Sequence, residues 1–126
     1  MKMTTRLLIT IALLMLASPG LHAAEPAKED AALSSKLITA IEASDFEAFL
    51  SDGDAAFKAL PKAQFEAVSV QLAARLKNRD EVTYLGELTK QGFRVTLWRI
   101  KFKDGGDDAL ATLSVKDGKV GGFLIQ

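Results

Sequence analysis

The sequence predicts an α+β domain in which three to four N-terminal helices pack on one face of a curved four-stranded antiparallel sheet. Three observations carry that expectation. Apolar residues recur at helical spacing up to about Lys77, and after Arg79 they alternate at strand spacing. Two tight-turn dipeptides, Gln91-Gly92 and Asp117-Gly118, then punctuate the alternating runs as hairpins.

The opening residues are a separate matter. Lys2 and Arg6 precede an apolar run from Leu7 to Ala17, a Pro19-Gly20 break and small residues, which is the layout of a cleavable secretory signal of the bacterial Sec type. The run is about half of the roughly 20 residues that a membrane-spanning helix needs. Cleavage after Ala23 or Ala24 is expected, giving a signal over 1–23, a flexible lead-in over 24–30 and one domain over 31–126. The mature protein is then periplasmic or secreted, with no membrane attachment after signal removal.

Composition excludes several chemistries. Basic and acidic residues are equal at 16 each, and losing Lys2 and Arg6 with the signal leaves a surplus of two acids, so nothing favours nucleic acid. There is no Cys, and the single histidine, His22, lies at the signal junction. A mature chain without His or Cys cannot assemble a Ser-His-Asp or Cys-His nucleophile, and it lacks the usual zinc ligands. No cofactor and no metal are expected.

Element by element, Leu33, Leu37, Ile38 and Ile41 form one helical stripe, with Asp30 placed to cap it. Ser44 and Glu47 have capping-box spacing, predicting a short second helix that buries Phe46, Phe49 and Leu50. Ser51 to Asp54 reads as a turn in which Gly53 takes positive φ and Asp54 caps a brief helical turn with Phe57 and Leu60. It lacks the oxygen-rich series of a calcium loop. Pro61 suits the first position of a long helix whose broad face carries Phe65, Val68, Leu72 and Leu76. A second strip of Ala63, Ala67, Val70 and Ala74 predicts close approach of another element. Arg75, Lys77 and Arg79 complement the helix dipole.

In the strands, Val82, Tyr84 and Leu88 lead into Gln91-Gly92. The next run is apolar on both phases: Phe93, Val95 and Leu97 at odd positions, Trp98, Ile100 and Phe102 at even ones. A bulge or a sharp bend near Leu97-Trp98 would reconcile them and curve the sheet. Asp104 to Asp108 turns the chain, and Ala109, Ala111, Leu113 and Val115 point inward on the third strand. The last strand holds Gly121-Gly122, which no helix follows, so these glycines mark a bend or close approach and not a phosphate cradle.

The stretch AIEASDFEAFLSDGDAAFKALPKAQFEAVSVQL, followed by strands and a closing VKDGKVGGFLIQ, resembles the small secreted domains of unknown function in the nuclear transport factor 2-like (cystatin-like α+β) superfamily. Some of those stand ahead of secreted α/β-hydrolases. The resemblance runs from about Ala31 to the C-terminus and implies a cone of helices on a strongly curved sheet. Enzymes of that superfamily generally use a His or Asp base inside the cone, or a Tyr and acid pair. This chain has no mature His, and it shows no early hairpin between its helices, which leaves the last strand at a sheet edge.

Two functional readings follow. In the first, the chain is a non-catalytic periplasmic or secreted module that binds a protein partner or forms a homodimer, with Phe123, Leu124 and Ile125 as the interaction edge. In the second, it is a small-molecule binding or isomerase- or hydrolase-like cone with a pocket lined by Tyr84, Trp98 and Phe102, and Arg94 or Arg99 contacting an anion. Tyr84 with Glu87 or Asp80 would supply the acid pair. The competing account of these residues is core filling for the aromatics and solvated charge for the arginines. The absence of His and Cys weighs toward the first reading.

Overall fold

The computed structural model describes residues 25–126. The expected signal over 1–23, and Ala24 of the lead-in, lie outside the described residues. The order is α1 (Lys28–Glu42), α2 (Phe46–Leu50), α3 (Ala55–Lys58), α4 (Lys62–Lys77), β1 (Arg79–Lys90), β2 (Phe93–Phe102), β3 (Ala109–Lys116) and β4 (Lys119–Ile125). The strands form one antiparallel meander in the order β1-β2-β3-β4.

Helix α1 starts two residues before the expected cap. Ala27 holds the cap position without a side-chain bond, and Asp30 sits inside the first turn, where the free amides favour an acid. The C-terminal end explains why Ser44 caps nothing. Ser44 has φ 56°, its N–H donates to Ile41 O (3.1 Å) and the Asp45 N–H donates to Ala40 O (2.8 Å), which is a Schellman closure. Ser44 is thus consumed in ending α1, and Asp45 caps α2 by accepting from the Ala48 N–H (3.0 Å). The capping-box reading was displaced by one residue.

Asp54 caps α3 as expected, accepting from the Phe57 N–H (2.8 Å). Gly53 is required for a different reason than positive φ: a Cβ there would lie 2.5 Å from Phe57 Cδ2. Pro61 occupies the cap position of α4, one residue before the helix begins.

Helix α4 buries Phe65, Ser69 and Leu76. Close approach to α1 comes from Ser69, whose hydroxyl donates to Ile41 O (2.7 Å) and meets Ser44 Oγ (2.6 Å). The strip of Ala63, Ala67, Val70 and Ala74 faces solvent instead, with Val70 77% exposed. Sequence periodicity shows an apolar strip, but no element among the described residues covers it.

Both tight turns have positive φ at both central residues, 53° and 84° at Gln91-Gly92 and 51° and 75° at Asp117-Gly118, as type I′ hairpins require. Strand β2 needs no bulge of its own. Trp98, Ile100 and Phe102 join the core with Leu113, Ala111 and the α1 stripe, while Val95, on the opposite phase of β2, is buried outside that cluster. The bulge lies across from Leu97-Trp98, on β1, where Leu85 is the extra residue between Tyr84 and Gly86. Two further irregularities make Asp80 an extra residue at the start of β1 and Gly121 the extra residue of β4. Extra residues in two strands add twist and bend the sheet toward the helices.

Candidate functional site at the free sheet edge

Strand β4 ends the sheet, and its bonding pattern can be followed residue by residue. Leu110 and Gln126 exchange both backbone bonds, at 2.7 and 2.9 Å. In an antiparallel ladder such pairs alternate with pairs whose N–H and C=O point away from each other. Ile125 opposite Ala111 and Phe123 opposite Leu113 are therefore the non-bonded pairs, and their backbone groups point outward from the sheet.

Among the described residues, only the start of β4 is covered. The Val120 N–H donates to Asp52 O and the Asp54 N–H donates to Val120 O, both at 2.8 Å. That loop is held to α1 by Lys36, whose ammonium donates to Ser51 Oγ (2.7 Å) and Asp52 Oδ2 (2.8 Å). Beyond it, the outward backbone groups of Phe123 and Ile125 have no partner among the described residues.

Beside this edge runs an apolar groove of about 520 Å³. Phe49 and Phe65 line its depth, Phe57 and Leu60 one wall, Val68 and Leu72 of α4 another, and Phe123 with Ile125 the sheet side. Its rings are in mutual contact: Phe49 lies 5.1 Å from Phe57, 5.0 Å from Phe65 and 6.4 Å, edge-on, from Phe123 between centroids. Among the described residues no charged side chain lines it, and Gln64 is its one polar side chain. Val68 is 45% exposed and Leu124, on the outer sheet face, 58%.

The opposite edge is built differently. Strand β1 carries Arg79, Asp80, Glu81, Glu87 and Lys90 and the Leu85 bulge, devices that discourage another strand from pairing. Strand β4 has no charged residue after Lys119.

The expected pocket of Tyr84, Trp98 and Phe102 does not form as one cavity. The Tyr84 and Trp98 rings meet at 5.3 Å between centroids, tilted by 59°, and buried Trp98 donates its indole N–H to Thr96 Oγ1 (2.9 Å). Trp98 touches a small depression of about 230 Å³ beside Ser34 and Arg79; Phe102 touches another of about 160 Å³, its ring covered by the Arg75 guanidinium at 4.1 Å. Partial burial, then the neighbouring Glu87 carboxylate, raise the Tyr84 phenol above its ordinary value. Its hydroxyl meets Glu87 at 3.4 Å in an exposed setting, and Asp80 is also exposed. Neither acid is the buried carboxyl that an isomerase pair needs.

Arg94 is engaged within the fold, whereas the buried Nε of Arg99 has no hydrogen-bond partner among the described residues. Arg94 makes a two-pronged bond to Asp30, Nε to Oδ2 at 2.8 Å and Nη2 to Oδ1 at 2.7 Å, and this bond holds the guanidinium more firmly protonated than usual. Arg99 lies between Glu81 (3.9 Å) and Asp108 (4.0 Å). Sequence reasoning identified the edge residues but missed the groove's far wall. Phe57, Leu60 and Val68 were legible as apolar, yet nothing in their spacing said that they would stay uncovered.

Among the described residues no helix is long and apolar enough to cross a membrane. No protein-family model, curated protein or solved structure matches the chain.

Proposed function

We propose that this chain is a non-catalytic module of the bacterial periplasm or exterior that recognises an extended polypeptide segment along β4. The observation that supports the reading is the conjunction of an unpaired strand edge with an uncharged groove. Backbone groups at Phe123 and Ile125 would bond an incoming strand, and every second side chain of that strand would enter the groove; this is strand addition. The secreted domains of the nuclear transport factor 2-like superfamily, which the sequence resembles, are consistent with export. A small-molecule cone is less well supported, because a ligand pocket usually carries several convergent polar groups, and here only Gln64 qualifies.

Ile125→Pro tests the claim. It removes the outward N–H and trims one apolar side chain from the groove, keeps a φ suited to an edge strand and leaves the β3 bonds of Leu124 and Gln126 in place. A displayed library of random peptides panned on the purified protein should yield sequences with apolar residues at alternate positions. Those peptides should bind Ile125→Pro roughly tenfold more weakly, the worth of one lost hydrogen bond and a trimmed apolar contact. Failure to enrich such peptides, or equal binding to a folded Ile125→Pro protein, would contradict the reading.

A further inference from the structure

We propose that the segment seated on this edge is a second copy of the chain, with the two β4 strands paired antiparallel about a two-fold axis at Leu124. The inference rests on the strand-addition reading and commits it to one occupant.

Register is the first argument. Outward backbone groups lie at Phe123 and Ile125, one on each side of Leu124. An antiparallel two-fold centred on Leu124 sets Phe123 opposite Ile125 of the second copy, and Ile125 opposite its Phe123. Each of these pairs exchanges two bonds, so all the free groups of both edges are satisfied at once. Centring the axis on Phe123 instead would set Ile125 against bulged Gly121, next to Val120, whose own groups are already bonded to Asp52 and Asp54.

Charge is the second argument. A two-fold contact brings each surface against a copy of itself, so any charge near the axis meets its like. Strand β4 beyond Lys119 and the groove lining carry none, whereas the β1 edge carries five charged residues, Arg79, Asp80, Glu81, Glu87 and Lys90. Of the two edges, β4 is the one with no charge that its own image would have to accommodate.

The side chains agree with the register. Leu124, the most exposed large apolar residue of β4, would face Leu124 of the second copy across a non-bonded pair, the closer of the two antiparallel spacings. On the helix face, Phe123 of each copy would lie beside Ile125 of the other, closing the mouths of two grooves that meet at the axis. The result is a continuous eight-stranded sheet with both helix layers on the same side.

The chain contains no cysteine, so a single Leu124→Cys substitution gives a clean test. Opposed residues of a non-bonded pair have Cα atoms about 4.5 Å apart, inside the span of a disulfide. Mild oxidation of Leu124→Cys at micromolar concentration should give a covalent dimer, and light scattering should give twice the chain mass for the unmodified protein. Adding Ile125→Pro to Leu124→Cys should suppress cross-linking, and Val70→Cys, exposed on α4 away from the groove, should remain monomeric under the same oxidation. A monomeric unmodified protein with an uncross-linked Leu124→Cys would overturn the two-fold pairing, as would equal cross-linking through Val70→Cys. If panned peptides still bound in an Ile125-dependent way, the edge would remain a recognition site with a different occupant; if they did not, both readings would fail.

Discussion

Replacing Phe49 by alanine is expected to lower stability by about 4 kcal/mol. Phe49 is the buried residue of α2, and its ring touches those of Phe57 on α3, Phe65 on α4 and Phe123 on β4. A five-residue helix has no stability of its own in water, so α2 keeps its place through this contact. Loss of the ring removes the transfer gain of a large side chain and leaves a cavity bounded by three aromatics. For a domain of this size the melting temperature should fall by roughly 20 °C. Urea denaturation followed by circular dichroism checks the magnitude; a loss below about 1 kcal/mol would mean that α2 and α3 hold their places by other contacts. Because Phe49 also forms the depth of the groove, a Phe49→Leu protein that remains folded should bind panned peptides more weakly.

Arg94→Ala is expected to cost about 3 kcal/mol. Asp30 has a fully buried side chain, and its carboxylate is bonded at both oxygens by the Arg94 guanidinium. Removing the arginine strands that carboxylate without a partner. Arg94 itself is 36% exposed, so water reaching the vacated space offsets part of the penalty, which places the effect at the low end for a broken buried pair. Replacing both partners with apolar residues of similar volume, Asp30→Leu with Arg94→Met, should recover to within about 1 kcal/mol of the original stability. A double-mutant cycle measures the coupling. Equal losses in the single and double variants would show that the pair is not what holds the start of α1 against β2.

Much of the architecture was legible because local chemistry settles it. The change of apolar period at Arg79, the two turns that demand positive φ, and the Asp54 cap each depend on residues close in sequence. What was misplaced depended on distant contacts. Asp30 reads as a cap because nothing nearby in the sequence shows that Arg94, 64 residues away, donates to its carboxylate. Ser44 and Asp45 are adjacent capping residues, and only the Schellman closure at the end of α1 decides between them. In β2, a strand apolar on both faces has the same pattern as a bulged strand apolar on one, so the bulge was assigned to the wrong partner.

The candidate site divides along the same line. Phe123, Leu124 and Ile125 are legible as an edge, since a tight hairpin fixes β4 beside β3 and the helical spacing before Arg79 supplies no strand for its other side among the described residues. The groove is not, because periodicity tells which face of α4 is apolar and not what covers it. Trp98 and Phe102 were expected in one pocket, but indole and ring are each used where they stand, by Thr96 and by Arg75.

Amide hydrogen exchange along β4, measured by NMR across a range of protein concentrations and with a panned peptide added, tests the edge most directly. The Leu124 and Gln126 amides bond to β3 and should be protected under every condition. Those of Phe123 and Ile125 should exchange like open chain in dilute protein and become protected as concentration rises or peptide is added. Rapid exchange at Phe123 and Ile125 at every concentration and with every selected peptide would contradict the claim that this edge is a recognition surface.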